Sequence, residues 1–135
     1  DIFEHSNAVK LLGSVTGKEL QALYHSAHIF LLPSLEEKIT TWAETQGIVI
    51  QEAQASGVLV VAASTGGLPE CVIHGKTGFL VEQKNGTAIS NQIKYLLSNK
   101  GSWEGWQKAA RKDVESRFNY SDMGESLLNY YNALI

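Results

Sequence analysis

The sequence predicts an α/β fold, a parallel sheet with helices on both faces, and three observations carry that prediction. Short apolar runs of strand length alternate with stretches of helical periodicity. One of those runs, "VLVVAA" at 58–63, is apolar throughout, as a strand covered on both faces must be. Gly13, Pro33 and Gly57 stand where such segments have to stop and turn.

Taken in order, "VKLL" (9–12) ends at Gly13 and reads as a short strand. "TGKELQALYHSA" (16–27) reads as a helix, with Thr16 as N-cap and Glu19 completing a capping box. Leu20, Leu23 and Tyr24 fall at helical spacing and are expected to face the core. "IFLLP" (29–33) is a buried strand stopped by its proline, and the polar loop "SLEEKITTWA" follows. "GIVIQEAQAS" (47–56) leads into a helix that stops at Gly57, and "VLVVAA" is the next strand. "STGGLPE" (64–70) is a glycine-rich turn, "GFLV" (78–81) a further short strand, and the pattern from Thr87 onward is helical. Sheets of this class bind ligands outside the carboxyl ends of their strands, here the loops 13–16, 33–46 and 64–70.

Composition sets the outer bounds. The 135 residues suffice for one domain, with 44% hydrophobic and 19% charged residues, an ordinary globular balance. A net charge of −3 argues against nucleic acid as a partner. The single cysteine, Cys71, excludes an internal disulfide and a cysteine-rich zinc site, and fits a reducing, cytoplasmic compartment. No apolar run approaches the roughly 20 residues that span a bilayer. The start lacks both an initiator methionine and a signal-peptide pattern, so the chain is read as a piece of a longer one. His5, His25, His28 and His74 show no metal-ligand spacing.

The stretch "ETQGIVIQEA" (44–53) carries most of the chemistry. It sets an acid on each side of a glycine and an apolar segment. A helix starting near Gly47 offers unpaired backbone N–H groups and the positive end of its dipole, an anion site suited to phosphate. Gly47 allows close approach of a ligand to the backbone. Glu52 lies about 7.5 Å further along the helix axis, and Glu44 precedes it in the loop. Carboxylates accept hydrogen bonds strongly from hydroxyls. A molecule with a diphosphate in the middle and a polyol at each end, such as a nucleotide sugar, matches that arrangement. The plainer alternative is an amphipathic core helix with two solvated acids.

The run "FLLPS…ETQGIVIQEAQASGVLVVAASTGGLPECVIHGKTGFLV" resembles the C-terminal, donor-binding domain of retaining GT-B glycosyltransferases, group 1 or family 4 type. Pro33-Ser34, Glu44, Gly47, Glu52-Ala53, Gly57, Val60-Val61-Ala62, Gly66-Gly67, Pro69-Glu70, Gly75 and Gly78 match the family pattern in order, and "RFNYSDMGESLLNYY" is similar to its closing helix. The resemblance implies a Rossmann-like C-terminal half of a GT-B fold over residues 1–135, truncated on its N-terminal side. It implies that the parent transfers a sugar, with retention, from a nucleoside-diphosphate donor to an acceptor, expected to be a saccharide in polysaccharide or glycoconjugate synthesis. By position, Glu44, the catalytic residue the motif implies, would contact hydroxyls of the transferred sugar, and Glu52 would hold the ribose hydroxyls. Backbone N–H groups around Gly47, Ile48 and Val49 would serve the diphosphate or sugar, with Gly66-Gly67 turning beside them. No metal or other cofactor is expected. The partners expected are the nucleotide-sugar donor, the carbohydrate acceptor and the acceptor-binding N-terminal domain of the parent, which is left free to sit at a membrane surface.

The sequence also departs from the family pattern. Thr45 and Gln46 replace a glycine and an aromatic residue, and the loop between Ser34 and Glu44 is longer than usual. Trp42 in that loop could stack on a sugar or acceptor, or equally cover the core. The family's arginine–lysine pair would lie before residue 1, and Lys38, Lys76 and Lys84 do not match it. A non-catalytic domain that senses sugar nucleotides or carbohydrates is the alternative class, favoured by Thr45 and Gln46 and disfavoured by the retained Glu44 and Glu52.

Overall fold

The structure, a computed structural model, describes residues 8–36 and 47–134. Its elements run α1 (Gly17–Ser26), β1 (Ile29–Leu32), α2 (Ile48–Ala55), β2 (Leu59–Ala63), α3 (Leu68–Cys71), β3 (Phe79–Val81), α4 (Gly86–Ser98), a 3-10 turn (Lys100–Ser102), α5 (Trp103–Arg117) and α6 (Tyr120–Asn132). Among the described residues there is one parallel sheet, in the order β1-β2-β3. Ile29 pairs with Leu59 and Val61 with Phe79, so the three strands point the same way and end together.

All five residues of β2 are buried, because both of its faces are covered. Val60 and Ala62 point into a core with Tyr24 of α1, Ile50 and Ala53 of α2, and Leu68 and Cys71 of α3. Leu59 and Val61 point the other way, toward Phe79 and Val81 of β3, Leu96 of α4, and Trp103 and Trp106 of α5. The period of two along the strand thus separates two hydrophobic layers. Each fully buried branched side chain in them contributes about 1.5–3 kcal/mol.

The helix ends show local chemistry at work. α2 closes on Gly57, whose φ of +76° would strain any other residue. Gly57 N–H donates to Gln54 O at 3.0 Å and Val58 N–H to Ala53 O at 2.9 Å, a Schellman closure. α4 starts earlier than its periodicity predicts, at Gly86, because Asn85 caps it and accepts from Ala88 N–H at 2.9 Å. α3 is a single turn hidden inside the stretch read as a turn, with Glu70 in its first turn. It is held from outside: the Arg117 guanidinium at the end of α5 donates twice to Glu70 O, both at 3.2 Å.

Two expectations fail. Residues 9–12 form no strand, and Val9, Leu11 and Leu12 are exposed. A strand needs a partner for its backbone groups, and among the described residues no strand pairs with them. Thr16 does occupy the N-cap of α1, but its side chain makes no capping hydrogen bond, so the capping box with Glu19 does not form. The helix instead draws its stability from burying Tyr24 and packing Leu20 on the core.

Candidate functional site

The carboxyl ends of the strands gather the site. β2 runs out at Ala63, and Ser64 N–H donates to Val81 O at 2.7 Å, so the ends of β2 and β3 are fastened. Glu36, just past β1, joins the segments that follow β1, β2 and β3: its N–H donates to Gln83 Oε1 at 3.0 Å, and its carboxylate accepts from the buried Thr65 Oγ1 at 3.3 Å. Sequence reading placed Glu36 only in a polar loop. Its partners lie 47 and 29 residues away, a separation that no local pattern reveals.

α2 starts at this same edge. Its N-cap is Gly47, and Ile48 and Val49 form the exposed first turn, whose N–H groups have no intrahelical acceptors. Gly47 is buried for a steric reason. A Cβ there would stand 2.9 Å from Leu68 Cδ2 and 3.0 Å from Ile50 Cδ1, so a side chain at this position has to push those buried side-chain ends aside. Leu68 directly follows Gly66-Gly67, which places that turn beside the start of α2. Gly66 has a φ of +53°, the left-handed conformation a tight turn needs, and Gly67 is the N-cap of α3. The structure therefore sets the N-cap of α2 against Leu68, the first residue of α3, which directly follows Gly66-Gly67.

The rear of the site is locked by Gln54, which is fully buried. Its Nε2 donates to Cys71 O at 3.2 Å and to Thr77 O at 3.0 Å, tying α2 to α3 and to the turn before β3. Its Oε1 has no hydrogen-bond partner among the described residues. Cys71 is a packing residue, with its Sγ 3.8 Å from Gly67 O.

Glu52 is exposed on α2, at the rim of a groove of about 360 Å³ between α1 and α2 that Leu20, Gln21 and Tyr24 also line. Tyr24 Oη donates to Glu52 Oε2 at 3.2 Å and stands 3.4 Å from Val49 O. Burial, then the charge of Glu52 and the hydrogen bond to it, pushes the Tyr24 phenol up to about 12. Glu44 and Trp42 lie outside the described residues, as do Thr45, Gln46 and Lys38. Lys76 and Lys84 are exposed. Among the described residues no group of three His, Cys, Asp or Glu side chains is placed to hold a metal, and no helix is long and apolar enough to cross a membrane.

The sequence model of the family "Glycosyl transferases group 1" matches residues 2–113. An uncharacterized glycosyltransferase of Methanocaldococcus jannaschii is 35% identical over 91% of this chain, and the chain spans 30% of that relative's length. The solved glycosyltransferase of Rickettsia africae is similar in structure with a TM-score of 0.76 at 31% identity, over 87% of this chain and 30% of its own. Anabaena HepE, solved in complex with UDP and glucose, has a TM-score of 0.72 at 25% identity, over 82% of this chain and 29% of its own. A parallel sheet, a helix opening at its carboxyl edge and a glycine pair beside that opening are thus found in a chain that belongs to the group 1 glycosyltransferases and has the Rossmann-like fold of their C-terminal GT-B domain.

Proposed function

We propose that this domain binds a nucleoside-diphosphate sugar, and that its parent transfers the sugar with retention to a carbohydrate acceptor. The observation that carries the reading is the start of α2. Gly47 is pressed against Leu68 so that the first turn opens beside Gly66-Gly67, and Glu52 projects from the same helix. A diphosphate at that opening meets the helix dipole and the N–H groups of Ile48 and Val49. Its ribose hydroxyls then reach the Glu52 carboxylate. HepE, to which most of this chain is similar, was solved with UDP and glucose, which supports a nucleotide and a sugar as the ligand classes. Glu44 takes the transferred sugar in this reading, on the strength of its place in the family motif. The acceptor site and the basic pair that neutralises the departing diphosphate come from the rest of the parent in this reading, so the isolated domain binds donor without turnover. Catalysis rests on positioning and on electrostatic stabilisation of the leaving group, with no metal or other cofactor, in the cytoplasm.

The test uses the full-length parent. A hydrogen bond to a charged acceptor is worth about 1.5–3 kcal/mol, so Glu52→Ala should weaken nucleoside-diphosphate binding about 10- to 150-fold. Glu44→Ala should lower turnover more than affinity, because its contacts are to the sugar in transfer. Calorimetric titration paired with steady-state kinetics separates the two. Wild-type affinity in Glu52→Ala would return α2 to a core helix with solvated acids.

A further inference from the structure

We propose that Tyr24 is a positioning residue for donor binding: its hydroxyl, at the end of a packed ring, holds the Glu52 carboxylate in the orientation that receives the ribose. The inference rests on the ribose reading of Glu52 and adds the residue that prepares it. Glu52 stands on an exposed helix surface, where a glutamate side chain is free to take many rotamers and must be ordered when it binds. Tyr24 is the opposite kind of side chain. It is only 8% exposed, and its ring is tilted against Phe30 with centroids 5.8 Å apart. The hydroxyl is therefore a fixed point at the end of a packed ring, 3.2 Å from Glu52 Oε2. Among the described residues no other side chain donates to that carboxylate.

The hydroxyl has one proton and two acceptors in reach. The carboxylate is the charged and nearer one, and takes the proton. Val49 O, at 3.4 Å, is the weaker alternative. Both belong to α2, Val49 in the turn where the diphosphate is expected and Glu52 one turn later. One phenol on α1 thus references the two halves of the nucleotide site to each other. The anchor does not exhaust the carboxylate, which has about four acceptor positions and gives one to the phenol. The rest remain for two vicinal hydroxyls. The phenol pKa is raised first by burial and then by the Glu52 charge and the hydrogen bond to it, so the hydroxyl keeps the proton it donates.

The experiment is a double-mutant cycle in the full-length parent: wild type, Tyr24→Phe, Glu52→Ala and the double variant, each titrated with UDP and with GDP. Tyr24→Phe keeps the ring against Phe30 and removes only the hydroxyl, and thermal melts confirm that all four proteins fold. The expected result is a loss of affinity for the preferred diphosphate of about three- to tenfold in Tyr24→Phe. That loss should vanish when Glu52 is already alanine. A purely structural role for Tyr24 would weaken both backgrounds alike, and that outcome overturns the inference while leaving Glu52 in place. So does an unchanged affinity in Tyr24→Phe when Glu52→Ala is weakened. Binding of neither diphosphate, or wild-type binding by Glu52→Ala, overturns the ribose reading and the inference with it.

Discussion

The two faces of the sheet are built by different rules. Toward α4 and α5, large rings meet: Phe79 packs edge-on against Trp106 with centroids 5.0 Å apart, and Tyr95 lies 6.1 Å from Phe79. In that layer Trp103 Nε1 donates to Leu96 O at 2.8 Å. Toward α1, α2 and α3, the β2 side chains are Val60 and Ala62, with Ala53 and Cys71 above them. Directional contacts are added there: Gln54 to Cys71 and Thr77, and Tyr24 to Glu52. Bulk apolar burial is non-directional and supplies stability. Hydrogen bonds fix angles and distances, and the small side chains let the backbones come close. The face that carries the candidate site is the one that invests in placement.

The comparison would break first at Phe79. Phe79→Ala leaves a cavity in the aromatic layer and should cost about 3–5 kcal/mol in urea unfolding, while nucleoside-diphosphate affinity of the folded protein stays near wild type. A parallel loss of affinity would mean that the two faces are not separable. Gln54→Leu should cost less, about 1–3 kcal/mol for each carbonyl left without a donor, offset by removal of the unpaired Oε1. Unlike Phe79→Ala it should also weaken binding, since α2 is then released from α3. Gly47→Ala should cost about 1–3 kcal/mol through its clash with Leu68 and Ile50, with affinity lost out of proportion to stability. Calorimetry and chemical denaturation on the same samples would check both.

The smallest effect concerns alkaline pH. The Tyr24 phenol is raised from 10.0 to about 12 in the folded protein. The unfolded chain therefore loses this proton first as pH rises. The stability that Tyr24 contributes is whole below its unfolded pKa and drains away through the folded one. Between those values the urea midpoint should fall less steeply in Tyr24→Phe than in wild type.

Much of the architecture was legible because it depends on local pattern. The unbroken run 58–63 announced a strand covered twice, and Gly57 announced the end of α2. Gly47, Ile48, Val49, Gly66 and Gly67 were singled out by motif spacing, and the structure sets Gly47 against Leu68, the residue that follows Gly66-Gly67. What was not legible depends on distant partners. "VKLL" has the composition of a strand, but its neighbours decide whether it is one. The capping box at Thr16 has the right residues and the wrong side-chain geometry. Tyr24 was expected to face the core and does, yet its hydroxyl reaches a carboxylate 28 residues away. Gln54 looked like one more helix former, and nothing local showed that its amide would bridge two later segments.

The grip of Arg117 on Glu70 has a consequence for the order of assembly. It joins residues 47 positions apart, whereas the α2 closure on Gly57 is made within a few residues. Long loops are entropically costly to close, so contacts of this kind form after the local β–α–β units have condensed. A contact absent from the folding barrier acts on the way out: its loss quickens unfolding and leaves the folding rate nearly untouched. Arg117 is thus less a part of how α3 is found than of how long it stays. Because the Gly66-Gly67 turn runs directly into α3, loss of the Arg117 contact is expected to shorten the time that turn stays in place, adding to what the buried Leu68 and Cys71 hold.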